Sequence, residues 1–396
     1  MLRITMNKSA AAAKKYYCER YYQEGRSEAF GYYAEGEQAI GRWGGKAAEK
    51  LGLNGSIDKK DFAMLCDNIS PLTGQRLTGR NDTNRTVGYD FTFNASKSVS
   101  LAYAFADEAD KKTILDAFQS AVRSAMTEVE SGMQARVRTE GKNENRLTGN
   151  IAYGEFTHFT TRPIDGIPDP HLHSHCFVLN ATHDEEDGQW KAGQFRQVKQ
   201  DAPYYEAFFH AKLAQELKEA GYGIEQTKNG FELAGLEKST LEKFSRRTQE
   251  IEEYAKEHEI TNDEEKSRIG AKTREAKRAE AGIDPATEWS NRLTQEERNA
   301  FENLKQEPNS GEDESAAKQA IQFSLDHHME RKSVASDKEI LATAMKSAIG
   351  EASPEQINDA FKQKDDVLSV TEDLKILVSL VRFQLIPQTK AFRFKL

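Results

Sequence analysis

The sequence predicts an α+β protein of two or three domains, and three observations carry that reading. Residues alternate with a period of two over 1–6, 88–93, 135–139, 149–159 and 170–180. Apolar residues between these stretches recur at helical spacing, as at Ile114, Phe118, Val122 and Met126. From about Glu237 the composition shifts to charged helix. With 396 residues, 37% of them hydrophobic, the chain can bury a substantial core. No apolar run approaches membrane-spanning length, and no N-terminal segment has the make-up of a signal peptide. Cys18, Cys66 and Cys176 show neither disulfide nor metal-site spacing. A chain made in the cytosol without membrane insertion is expected. The net charge of -9 is unevenly spread: residues 1–100 hold 15 Lys+Arg against 11 Asp+Glu, and the remainder 40 against 53. A polyanion therefore suits the first part of the chain.

In chain order, a weakly alternating strand over 1–6 precedes Ser9 and an alanine run, which read as a capped helix running into the tyrosine pairs Tyr16-Tyr17 and Tyr21-Tyr22. A third pair, Tyr32-Tyr33, precedes Trp43-Gly44-Gly45-Lys46. Gly45-Lys46 is followed by Ala47 and lacks the spaced first glycine, so it is no phosphate-binding P-loop. A helical patch at 58–68 leads through a turn-rich stretch carrying Arg76, Arg80 and Arg85 to the strand 88–93. That strand places Asp90, Thr92 and Asn94 on one face and Tyr89, Phe91 and Phe93 on the other. The loop around Lys97 then opens a helix, where helix-end N–H groups and the lysine suit a phosphate as well as they suit an ordinary N-cap. Helix 109–131 precedes strands at 135–139 and 149–159, read as a pair. Helix 204–220, a hairpin turning at Lys228-Asn229-Gly230 and the charged helices to Lys305 complete this part. A linker at 306–316 and helices near 316–330 and 338–362 end the readable chain.

The most informative stretch is Pro168 to Asn180. If it is a strand, His171, His173 and His175 share a face while Leu172, Ser174, Cys176 and Val178 point the other way. Imidazoles crowded on one face are the usual ligands of a divalent transition ion, and only nine histidines are present to supply them. An antiparallel return through the loop 162–170 would also bring His158 beside His173 and His175.

Taken together, the N-terminal tyrosine pairs, the run Gly88-Tyr89-Asp90-Phe91-Thr92-Phe93-Asn94-Ala95-Ser96-Lys97-Ser98-Val99-Ser100, Leu147-Thr148-Gly149-Asn150 and Pro170-His171-Leu172-His173-Ser174-His175 resemble the conjugative relaxases of the TrwC/TraI (MOB-F) type. These belong to the histidine-hydrophobe-histidine endonuclease superfamily. The similarity runs to about Tyr254, with a weaker match from Met329 to Ala360. The resemblance implies a central antiparallel sheet flanked by helices in a palm-like relaxase fold, with a charged helical C-terminal part. It implies His158, His173 and His175 as ligands of a divalent metal, Mg2+ or Mn2+ with Zn2+ as the alternative, and leaves His171 as a neighbouring or fourth contact. Tyr16, with Tyr17 beside it, becomes the candidate nucleophile, Tyr32 the second tyrosine, and Asp90 the group that takes the phenolic proton or orients a histidine.

The activity so implied is site- and strand-specific nicking of single-stranded DNA at a conjugative origin of transfer, through a 5'-phosphotyrosyl adduct that later allows rejoining. Arg76, Arg80, Arg85, Lys97 and Arg162 are the candidate phosphate contacts, and conjugation accessory and coupling proteins the further partners. The setting would be the bacterial cytoplasm, or export with the DNA to a recipient cell. Residues 1–240 would form the catalytic domain, 241–310 a DNA-clamping segment and 311–396 a helical connector and tail without a helicase motif. The competing readings are a rolling-circle replication initiator of the same superfamily, a three-histidine zinc hydrolase, and a non-catalytic DNA-binding module.

Overall fold

The computed structural model describes residues 2–20, 41–79, 84–139, 141–262, 284–305, 314–330, 332 and 334–364. Tyr21, Tyr22, Tyr32, Tyr33, Arg80 and the tail from Thr371 lie outside the described residues.

Strand β1 (Leu2–Asn7) leads to helix α1 (Ala10–Lys14), which Ser9 caps by accepting from the Ala12 amide, and the helix widens into a π-helical turn over Lys15–Arg20. Next come β2 (Arg42–Gly44), α2 (Lys46–Lys50), α3 (Lys59–Cys66) capped by Asp58, and β3 (Gly88–Asn94). Helices α4 (Lys97–Phe105) and α5 (Glu108–Ser131) precede β4 (Gln134–Thr139), β5 (Lys142–Leu147), β6 (Tyr153–Thr160) and β7 (Pro170–Leu179). The small ribbon β8 (Thr182–Asp184) and β9 (Gln189–Lys191) is followed by α6 (Phe195–Gln200), α7 (Ala202–Glu219) and the hairpin β10 (Ile224–Thr227) and β11 (Gly230–Leu233). The charged region forms α8 (Lys238–Lys243), α9 (Arg246–Glu257), α10 (Pro285–Asn291) and α11 (Gln295–Glu302). Last come α12 (Glu314–Met329), α13 (Asp337–Ser347) and α14 (Pro354–Lys362).

Five strands form the central sheet in the order β1-β3-β7-β6-β2, every neighbouring pair antiparallel. This is the α+β architecture with a central antiparallel sheet that the resemblance implied. The ten-residue β7 sits in the middle because both its faces are covered. On one face Leu172, Cys176 and Val178 join Phe91 and Phe93 of β3 and the buried stripes of α5 and α7, including Ile114, Phe118, Phe209 and Leu213. Each fully buried phenylalanine there contributes about 1.5–3 kcal/mol. On the other face Phe177 and Leu179 pack with Phe156, Tyr17, Phe62 and Leu65. Helices α12 to α14 close on the first core, with Ile321, Leu325, Ile340, Met345 and Ile357 buried in it. Helix α10 seats Trp289 against Leu101, Phe244 and Leu293. Among the described residues no helix is long and apolar enough to cross a membrane.

Two sequence readings change. The strand at 135–139 does not pair with 149–159: β4 pairs with β5 from Gln134↔Leu147 to Thr139↔Lys142, around Gly141 at φ 84°. A local hairpin closes with little loop entropy, so it wins over the longer return. The predicted helix 338–362 is two helices, because Gly350 takes φ 78° and Ser353 with Pro354 starts a new, capped helix.

Candidate active site

Period-two geometry on β7 and its register with β6 assemble the histidines. His173 stands opposite His158 of β6 and Asn94 of β3, and His175 opposite Phe156 and Thr92. The His158 ring stacks on His173 with centroids 5.1 Å apart and meets His175 edge-on at 5.3 Å; His173 and His175 are also 5.3 Å apart. His171 stacks on His173 at 4.7 Å but turns its Nε2 to Asn94 Oδ1, 3.1 Å away. Burial, and then the neighbouring His173, hold the His171 ring well below its ordinary value, so it is neutral. His158, His173 and His175 thus form a mutual triangle, with His171 beside it.

The hydrogen-bond network assigns the tautomers. His175 Nδ1 faces Asp90, 2.8 Å from Oδ2 and 3.0 Å from Oδ1, with Thr92 Oγ1 at 3.3 Å. Its Nδ1 therefore carries the proton and donates to the carboxylate, leaving the Nε2 lone pair facing outward. His173 Nδ1 lies 3.0 Å from the carbonyl of His171, which likewise leaves Nε2 toward the site. Asp90 thus holds His175 from behind and also hydrogen-bonds the Tyr17 phenol.

The two tyrosines part company at the π-helical turn, a feature common at functional sites. Tyr16 points its hydroxyl at His175, with Oη 3.4 Å from Nε2. Tyr17 turns into the sheet, buried among Phe62, Phe156 and Phe177 at centroid distances of 5.6, 4.9 and 4.9 Å. Burial, and then the charge of Asp90, push its phenol well above 10.

Among the described residues no three His, Cys, Asp or Glu side chains form a ready-made metal cluster. The size of the triangle nevertheless fits one: a tetrahedral ion bonded to ring nitrogens at about 2.0–2.1 Å holds imidazole centroids about 5 Å apart. With Nδ1 engaged in both His173 and His175, Nε2 is the nitrogen each ring would offer such an ion.

Of the basic residues singled out in the sequence, Lys97 and Arg85 are engaged by backbone carbonyls. Lys97 is folded inward, donating from Nζ to the Pro170 carbonyl at 2.9 Å, and burial pushes it down to about 8. The amide of Ser98 at the start of α4 donates to Glu232 Oε2 at 2.8 Å, so a carboxylate already occupies the helix end considered for a phosphate. Arg85 donates to the Cys66 carbonyl. Arg76 is exposed and Arg162 half-buried. Sequence reasoning missed Asn94 and Thr92 as partners of the histidines, although their shared face with Asp90 was visible in the alternation of β3.

A central antiparallel sheet whose middle strand carries His171, His173 and His175 on alternate residues, with Leu172 and Ser174 between them and a tyrosine hydroxyl set against His175, defines the class: a histidine-hydrophobe-histidine endonuclease fold. A family model described as TrwC relaxase matches residues 10–347, and the chain belongs to that family. It is similar to the multifunctional conjugation protein TraI of Escherichia coli (strain K12), 32% identical over an alignment of 265 residues that covers 64% of this chain and 14% of that protein. The chain thus spans only a small part of the length of that relative. A metal-bound structure of the conjugative relaxase TrwC with oriT DNA superposes with a TM-score of 0.63 at 29% identity, covering 77% of this chain and 98% of that one. A structure of TrwC with a 27-mer DNA comprising the recognition hairpin and the cleavage site gives 0.62 at 29%, covering 74% and 96%.

Proposed function

We propose that the chain nicks single-stranded DNA at an origin of transfer by tyrosine transesterification. The observation that carries this reading is Tyr16 Oη at 3.4 Å from Nε2 of His175, a ring fixed from behind by Asp90. The phenol oxygen attacks the scissile phosphorus, the bond to the 3' oxygen breaks, the phenolic proton is lost and the 3' oxygen gains one. No water is consumed, so the phosphodiester bond energy stays in the 5'-phosphotyrosyl link and rejoining is possible. A divalent ion held by His158, His173 and His175 would neutralise charge on the non-bridging oxygens and lower the cost of phenolate formation. Imidazole donors suit Mn2+ or Zn2+ better than Mg2+, which prefers oxygen ligands. Asp90 keeps the Nε2 of His175 turned toward the site, where its single lone pair meets the phenol here and would serve as the ligand when an ion is bound. Tyr17, with Phe156 and Phe177, walls the site and keeps Tyr16 at the surface.

Further roles belong to the same reading. Tyr32 performs the second transfer, and Arg76 and Arg162 contact phosphates, whereas Lys97 and Arg85 are better read as internal supports. Residues 1–240 form the catalytic domain, 241–310 close over the DNA and 311–396 form a helical connector and tail. Accessory and coupling proteins of conjugation are the partners, in the bacterial cytoplasm. The test is incubation with single-stranded origin-of-transfer oligonucleotides and Mn2+, read on a denaturing gel. The wild-type chain gives protein-linked DNA, and Tyr16→Phe gives none while still binding the strand. Full-rate nicking by Tyr16→Phe would rule Tyr16 out as the nucleophile.

A further inference from the structure

Where the loop that joins the two histidine-bearing strands runs into β7, four consecutive residues, Ile167 to Pro170, are each gripped from outside. The carbonyl of Ile167 accepts from Arg246 Nη2 at 2.7 Å, and that of Pro168 from Trp289 Nε1 at 2.8 Å. The Asp169 carboxylate accepts from Arg246 Nε at 3.0 Å and from Arg292 Nη1 at 2.7 Å, and Arg246 Nη2 adds an ion-pair contact at 2.9 Å. The Pro170 carbonyl takes Lys97. On the backbone side, the Asp169 amide donates to Thr161 Oγ1 and the Thr161 amide to the Asp169 carbonyl, which ties the ends of β6 and β7 together. Ser100 Oγ then accepts from the Leu172 amide at 3.1 Å.

Asp169 is 1% exposed, and Arg246 and Arg292 are mostly covered. A carboxylate so far from water is stable only with its guanidinium partners in place, so its position and theirs are set jointly. Arg246 opens α9 and Arg292 caps the end of α10, in the charged region that composition alone would class as a solvated face. Asp169 lies four residues before His173, and Thr161 three residues after His158. A ligand triangle needs its side chains held to a fraction of an ångström, and this clasp fixes the ends of both strands that supply them.

We propose that Asp169 is a positioning residue for the histidine centre: gripped by Arg246 and Arg292, it makes the metal affinity of the site depend on the seating of α9 and α10. This rests on the metal-site reading above. By linkage, an ion bound at the histidines stabilises the docked helices to the same degree as their docking tightens the site.

The test uses the whole chain, with Mn2+ affinity measured by calorimetry and local opening by hydrogen exchange. Arg292→Gln is expected to weaken Mn2+ binding by about tenfold, the scale of losses when groups behind metal ligands are removed. Exchange is expected to speed up across 158–175 while the amides of α7 keep their protection, a pattern that general destabilisation would not give. Arg292→Lys, which returns one donor to Asp169, should recover most of the affinity. Arg246→Lys, which keeps the charge but loses the Ile167 contact, is the milder companion should Arg292→Gln fail to fold, with a smaller loss in the same direction. If the wild-type chain binds Mn2+ and these variants bind it equally well with unchanged exchange at 158–175, the coupling is wrong. If the wild-type chain binds no Mn2+, the metal-site reading fails and takes the coupling with it.

Discussion

The two faces of the central sheet obey different rules although the same strands build them. On one face Phe91, Phe93, Leu172, Cys176 and Val178 are fully buried against α5 and α7. On the other, β7 begins with His171, His173 and His175, all half-buried, and turns apolar only at Phe177 and Leu179. The first face supplies the burial that stabilises the fold. The second is apolar at one end, where Tyr17 and Phe62 cover it, and polar at the other, where Tyr16 stands over His175. Stability and chemistry are separated by one residue of register.

That separation can be broken most severely at its extremes. His173→Ala should abolish Mn2+ binding and nicking while leaving the melting temperature near that of the wild type. Phe91→Ala, three residues from Asn94, the partner of His173 on the neighbouring strand, should cost about 3–5 kcal/mol in a denaturant titration. A large stability loss in the first variant would mean that the polar end also holds the fold together. Next in size, Asp90→Asn removes the carboxylate that fixes His175 and should weaken metal affinity by about 10–100-fold with little change in stability.

Smaller effects come from titration. Lys97 is held down to about 8 by burial, against an ordinary 10.5. The unfolded chain then binds more protons than the folded one between those values, so stability rises with pH through that window, while below it the burial cost is fully present. Lys97→Met should flatten this slope in melting curves taken from pH 8 to pH 10. The smallest effect is expected at Glu297, far from the sheet. Burial alone would raise it, but Lys243, the Thr294 amide and Thr240 together bring it down to about 2 from 4.5. Its contribution is present above pH 4.5 and lost as pH falls toward 2, and Glu297→Gln should remove that part of the acid sensitivity.

Much of this site was legible in the sequence because its logic is local. Alternation alone put three histidines on one face, and an antiparallel return was enough to bring His158 opposite His173. The choice of Tyr16 came from the resemblance, since nothing in a tyrosine pair tells which member faces the sheet; only the π-helical turn separates the two. The partner of β4 was misread because two possible hairpins differ by a few residues of loop, and the break before α14 because Gly350 sits inside a continuous apolar pattern. Asp169 was invisible for a different reason. Its partners lie 77 and 123 residues away in a region whose charge pattern reads as solvated helix.

The most direct test of the central claim is to digest the covalent complex formed with an origin-of-transfer oligonucleotide and Mn2+, and to locate the nucleotide-bearing peptide by mass spectrometry. The account predicts a phosphotyrosyl linkage on Tyr16. A linkage on Tyr17, or on a tyrosine remote from the histidine triangle, would contradict it.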